Sequence, residues 1–88
     1  MTETPWRVEV EQRAKKDLKR LDLPIRRRVV IAARKLAEDP HSGALRKLAG
    51  RPEFRLRVGD WRVLVTLDEK TKTVQIIRVL PRGRAYDR

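Results

Sequence analysis

Between Phe54 and Leu67 the chain alternates apolar and polar residues in two short runs hinged on Gly59-Asp60, and this stretch constrains the fold more than any other. Phe54, Leu56 and Val58 alternate with Arg55 and Arg57. Trp61, Val63, Val65 and Leu67 alternate with Arg62, Leu64 and Thr66. A period of two marks a strand with one face buried, and two such runs joined by a Gly-containing dipeptide read as a hairpin. A two-residue turn sets Val58 opposite Trp61, Arg57 opposite Arg62, Leu56 opposite Val63 and Arg55 opposite Leu64. Side chains alternate faces along a strand. Phe54, Leu56, Val58, Trp61, Val63 and Val65 therefore share a core face, and Arg55, Arg57 and Arg62 share the other. Like charges directly opposite one another destabilise a sheet. Surface arginines often only cover apolar area with their stems and keep their heads in water. Three converging arginines in a chain of formal net charge +11 point instead to an anion site.

The rest of the chain supplies layers for this hairpin. Trp6-Arg7-Val8-Glu9-Val10 alternates and predicts a first strand. From Glu11 to Leu21 the apolar positions Ala14, Leu18 and Leu21 recur at helical spacing on an otherwise charged segment. Asp22-Leu23-Pro24 breaks that helix and starts another, with Pro24 suited to a first helical turn. Ile25, Val29, Ala32, Ala33 and Leu36 continue one apolar stripe, Arg26-Arg27-Arg28 read as a solvated face, and Asp39-Pro40 ends the helix. His41 to Gly50 reads as a loop. A polar turn over 68–71 leads to a last strand, Val74–Leu80, and to the tail Pro81-Arg82-Gly83-Arg84-Ala85-Tyr86-Asp87-Arg88. With 88 residues and no linker or repeat, one domain over residues 1–88 is expected. Its class is α+β: an N-terminal strand, a helical hairpin, then a three-stranded antiparallel meander, with the helices on one face of the sheet.

Lys and Arg number 23 against 12 Asp and Glu. An excess of that size repels itself in the compact state, and a polyanion relieves it. Nucleic acid is the first candidate, an acidic protein the second; a membrane is not expected, since no apolar run approaches a span. The absence of Cys excludes disulfides and thiolate chemistry and fits a cytoplasmic protein. One His and no Cys make a zinc site implausible, and no cofactor motif is present. His41 sits between Pro40 and Ser42 and reads as a surface residue. Trp6 and Trp61 read as core or rim.

Phe54-Arg55-Leu56-Arg57-Val58-Gly59-Asp60-Trp61-Arg62-Val63 resembles the central hairpin of the RelE/ParE toxin superfamily, and Arg78-Val79-Leu80-Pro81-Arg82 followed by Tyr86 resembles its last strand and tail. The resemblance implies a RelE-like fold and a toxin of a type II toxin-antitoxin system. RelE-type members are ribosome-dependent endoribonucleases that cleave mRNA in the A site, with the 2′-OH attacking the adjacent phosphate. ParE-type members poison DNA gyrase, and a non-catalytic relative that binds only RNA or its acidic partner is a third reading. Matched position by position, Arg55 and Arg57 stand for the two basic residues of the strand, the second being the proposed general base of the best-known branch. Arg62 stands for the arginine that supports the pentavalent phosphate, Arg82 for the tail arginine proposed as general acid, and Tyr86 for the tail tyrosine on the substrate. Arg57, Arg62, Arg82 and Tyr86 are thus the implied catalytic residues, and Arg55 and Arg84 the implied substrate-binding ones. Tyr86 favours the RelE branch.

Two departures bear on mechanism. Pro81 stands where many relatives carry His, and Arg stands at both strand positions where the best-known branch has Lys. Arginine is a poor base, so the general base is unassigned, with Glu53 and Asp60 as acidic candidates. The implied partners are a cognate acidic antitoxin in a hetero-oligomer, the ribosome and mRNA.

Overall fold

The structure is a computed structural model that describes residues 5–81. Strand β1 (Arg7–Val10) leads into helix α1 (Gln12–Lys19) and helix α2 (Leu23–Glu38). Four further strands follow: β2 (Leu45–Lys47), β3 (Phe54–Val58), β4 (Trp61–Asp68) and β5 (Thr73–Pro81). They form one sheet in the order β1-β5-β4-β3-β2. The meander is antiparallel, whereas β1 runs parallel to β5 from Arg7↔Thr73 to Val10↔Ile76. The segment read as a loop, His41 to Gly50, also contains β2, which pairs antiparallel with β3 from Leu45↔Leu56 to Lys47↔Phe54.

Both helices lie on the core face. Ala14, Leu21, Val29, Ala33 and Leu36 pack with Leu56, Val58, Val63, Val65, Val74, Ile76 and Val79. Pro24 occupies the first turn of α2, where a missing N–H costs nothing, and buried Pro40 follows its end. The hairpin of helices is closed by a side chain that the sequence assigned to solvent. Arg26 Nε donates to the Leu18 carbonyl at 3.0 Å, and its guanidinium reaches the Leu21 carbonyl at 3.2 Å. It thereby adds a donor to the Leu18 carbonyl, which also accepts the Leu21 N–H at 3.1 Å, and pairs the Leu21 carbonyl just past the end of α1.

Strand β5 needs a bulge to serve this core. Val74, Ile76 and Val79 all face inward, but Ile76 and Val79 are three residues apart, which strict alternation forbids. The register shifts between Leu64↔Arg78 and Val65↔Ile76, and the extra residue, Ile77, resets the alternation. Beyond Ile76, β1 no longer covers the outer edge of β5. There α1 takes over: the Asp17 carboxylate accepts the Val79 N–H at 2.9 Å and the Arg78 guanidinium at 2.8 and 3.2 Å. Burial alone would push the Asp17 carboxyl up. The hydrogen bonds from Arg78 and Val79, with the charges of Arg78 and Arg20, outweigh it and hold the group below the usual carboxylate range. The ion pair in turn raises the pKa of Arg78.

Two outcomes test this account. Leu56→Ala, a core truncation at 6% exposure, should cost about 2–5 kcal/mol, read as a lower denaturant midpoint. Asp17→Asn should cost about 1.5–3 kcal/mol at neutral pH, the range for hydrogen bonds to a charged group. Because the folded pKa is depressed, this stabilisation is complete above the unfolded value near ~4 and disappears as pH falls through the folded one. Midpoints of wild type and Asp17→Asn measured against pH should therefore converge in acid; a constant gap would show that the carboxylate charge is irrelevant.

Candidate anion-binding site

The hairpin of β3 and β4 has the register that its turn dictates: Val58↔Trp61, Arg57↔Arg62, Leu56↔Val63 and Arg55↔Leu64. Gly59 takes φ +58°, a region that side-chain-bearing residues rarely adopt. The Arg28 guanidinium of α2 stands 3.3 Å from where a Cβ would project. The run Arg26-Arg27-Arg28 is therefore divided: Arg26 caps α1, Arg28 covers the turn, and Arg27 is exposed.

Alternation from this register puts Arg55, Arg57 and Arg62 on the sheet face away from the helices. Arg57 is exposed, Arg55 half-buried, and Arg62 is 8% exposed, which makes it one of the two buried polar residues among those described. The pairing Arg46↔Arg55 adds a second arginine rung, since β2 continues the sheet beyond β3. Sequence reasoning missed Arg46 because the three residues of β2 are too few to show a period. The open face thus carries Arg46-Arg55-Leu64-Arg78 across one row and Arg57-Arg62-Leu80 across the next. Arg78 is already committed to Asp17. Arg82, Arg84 and Tyr86 lie outside the described residues. The last described residue, Pro81, pairs with Trp61, so the chain leaves β5 beside the Arg57–Arg62 rung.

The far end of the face carries charges of both signs. A cleft of about 270 Å³ is lined there by Arg7, Glu9, Asp68, Thr71, Thr73 and Gln75. There the Asp68 carboxylate accepts the Thr71 and Lys70 backbone N–H groups, which lower its pKa. The acidic candidates for a base stand apart from the rung. Glu53 is 3.2 Å from Arg51 Nε and lies about 13 Å along β3 from Arg57, at the strand's rise per residue. Asp60 lines a cleft of about 260 Å³ with Ile25, Arg28, Val58, Gly59 and Trp61, between the turn and α2. His41 is at the surface, 3.1 Å from Glu69 and edge-on to the Trp6 ring at 5.8 Å. Trp6 and Trp61 both pack partly buried against the core. No group of three His, Cys, Asp or Glu that would hold a metal occurs among the described residues. No described helix is long and apolar enough to cross a membrane.

Such a sheet, backed by a helical hairpin and faced with arginines, is the RelE-like fold of the RelE/ParE superfamily. The chain resembles the solved toxin-antitoxin complex RelBE2 of Mycobacterium tuberculosis, at 30% identity and a TM-score of 0.82, over 90% of this chain and 100% of that one. It also resembles the RelE-RelB complex of Pyrococcus horikoshii, at 29% identity and a TM-score of 0.77, over 92% and 99%. The E. coli RelBE complex, at 23% identity, 90% and 99% coverage and a TM-score of 0.76, shares the fold. No curated protein matches the chain. Residues 8–86 match the family model for the ParE toxin of the type II toxin-antitoxin system parDE. The chain belongs to this family of type II toxins.

The turn supplies a test of how the site is held. Gly59→Ala should cost about 1–2 kcal/mol, the penalty of a left-handed conformation for a side-chain-bearing residue, and chemical denaturation should show it.

Proposed function

We propose that this toxin is a ribosome-dependent endoribonuclease that cuts mRNA in the A site, within the cytoplasm. The observation that carries the reading is the Arg57–Arg62 rung on the open face, with Arg55 and Arg46 beside it. Two guanidinium groups set opposite one another offer the paired donors that a single bridging phosphate accepts. In the reaction the 2′-oxygen bonds to the adjacent phosphorus and the P–O5′ bond breaks, leaving a cyclic phosphate and a 5′-hydroxyl. Negative charge builds on the pentavalent phosphate between those events. Arg57 and Arg62, with Arg82 from the tail, stabilise it; Arg55, Arg84 and Arg46 position the strand, and Tyr86 holds the mRNA. The 2′-hydroxyl proton passes to water as the oxygen attacks, and the leaving 5′-oxygen takes a proton through Arg82, which regains it from water.

The neighbours of the rung in the register are Arg55, Leu64, Arg78 and Leu80, none of them a base at neutral pH. Catalysis then rests on fixed positive charge and on orientation by the ribosome. In the cell an acidic antitoxin holds the toxin in a hetero-oligomer, extending over the arginine face or displacing the tail. The solved relatives being toxin-antitoxin complexes supports that partner.

The match to the ParE family model favours a second reading, inhibition of DNA gyrase without nuclease chemistry. One experiment separates them. On programmed ribosomes, single-turnover cleavage by Arg62→Ala should fall by about 10²–10³, the usual cost of removing one positioned donor. Arg62→Lys should recover only part, because an ammonium lacks the bidentate fork. Absence of cleavage of translated mRNA by the wild-type protein would overturn the nuclease reading and leave gyrase inhibition or a non-catalytic binder in its place.

A further inference from the structure

The cleft between the β3–β4 turn and α2 brings together groups that the chemistry above does not use. Its volume is about 260 Å³, and Ile25, Val58 and Trp61 supply apolar walls. Arg28 and Asp60 supply polar ones, with Gly59 between them. The Arg28 guanidinium lies over the turn, 3.3 Å from the position a Gly59 Cβ would take. Arg28 and Asp60 are opposite in charge and line one cleft, yet they do not pair. Among the described residues neither side chain has any other partner.

A free fork of donors and a free carboxylate beside an apolar slot suit an occupant with acceptors on one edge and donors on the next. The volume lies below the ~300–1,000 Å³ of sites for drug-sized molecules, so it suits a single ring system. Among the RNA bases guanine meets the pattern best. Its O6 and N7 accept from a guanidinium fork, and its N1 and N2 hydrogens reach both oxygens of a carboxylate. Cytosine gives a carboxylate one bond, from N4. Adenine sets a donor beside N7 and so offers the fork a single acceptor. Uracil has one N–H to give. An acidic side chain would meet Asp60 with like charge.

We infer that this cleft is a subsite that reads guanine in the mRNA, at a nucleotide next to the scissile phosphate; the inference rests on the nuclease reading. Position supports it. The rung Val58↔Trp61 follows Arg57↔Arg62 directly, about 3.3 Å along the strands. Successive side chains point to opposite faces, so the arginine rung and the cleft stand on the two sides of one hairpin tip. A single strand whose phosphate is held on the rung rounds the tip at Gly59-Asp60 and presents a neighbouring base to the cleft. Unpaired RNA is read in this way, with bases splayed out and bonded on their Watson–Crick and Hoogsteen edges. Rate and selectivity then rest on different residues.

Single-turnover cleavage on ribosomes programmed with mRNAs that vary one base at a time around the cut tests this. The wild-type protein should cut at least about ten-fold faster with guanine at one position than with adenine or uracil there, the order that a good bidentate pair discriminates. Asp60→Ala and Arg28→Ala, each checked for a wild-type circular dichroism melt, should bring that ratio to within about two-fold of unity. Arg28→Lys, which keeps the charge without the fork, should lower it several-fold. Base analogues assign the edges. Deazaguanine, which lacks N7, should slow the wild type and not slow Arg28→Ala further. Inosine, which lacks the N2 amino group, should slow the wild type and not slow Asp60→Ala further. A wild-type ratio near unity, or a ratio that both alanine variants keep, would overturn the inference and leave the nuclease reading intact. Rates that fall equally with every base would overturn it too, and assign the two residues to the reaction itself. Kept ratios with weaker binding of the acidic partner would give the cleft to that protein instead. If the wild-type protein cut no mRNA, the nuclease reading itself would fall, and this one with it.

Discussion

Asp17 joins the helical layer to the sheet at the one stretch where β5 has no strand beside it. Everything else is referred to β5. It pairs with β4 along its whole length on one side, and on the other it is divided between β1 and α1. The carboxylate substitutes for the missing strand by accepting the Val79 N–H, and it balances Arg78 in the same place. An unmet N–H there would cost what any buried donor costs when stranded. An unpaired carboxylate, at 10% side-chain exposure, would cost more. The interaction therefore fixes where α1 sits, and Arg26 then fixes α2 to α1. Through Arg28 against Gly59 the chain of contacts reaches the turn that sets the Arg57–Arg62 register.

The charge of the chain is spent in different ways in different places. Arg78 and Arg26 are structural, each bonded to groups that a fold of this size must satisfy. Arg28 covers a turn. Arg46, Arg55, Arg57 and Arg62 are brought together on one face, where a fold selected for stability alone would have dispersed them. Under the proposed function, a local cost at such a site is a familiar trade of stability for function.

What was legible in the sequence follows from length and period. The hairpin register could be read because each run is long enough to show a period of two and Gly59-Asp60 permits a single tight turn. The helices could be read from their stripes and from Pro24 and Pro40. Leu45-Arg46-Lys47 could not, since three residues carry no period, and with that strand Arg46 was lost from the candidate site. The bulge at Ile77 was hidden because Ile76 and Ile77 are equally apolar, and only the partner strand decides which faces inward. The ion pair of Asp17 with Arg78 joins residues 61 positions apart and leaves no local signal. Arg26, Arg27 and Arg28 are identical in type and differ only in angle around a helix, so their three fates depended on what each direction meets.

The two edges of the sheet are short. One offers four residues, Arg7–Val10, and the other three, Leu45–Lys47. The first carries an Arg7–Glu9 pair at 3.5 Å and the second carries Arg46 and Lys47. Unpaired strands invite copies of the same chain to add themselves in register, and brevity and charge are the means by which sheets refuse. Among the described residues, neither border of this sheet is a long, neutral strand onto which a second copy could add itself.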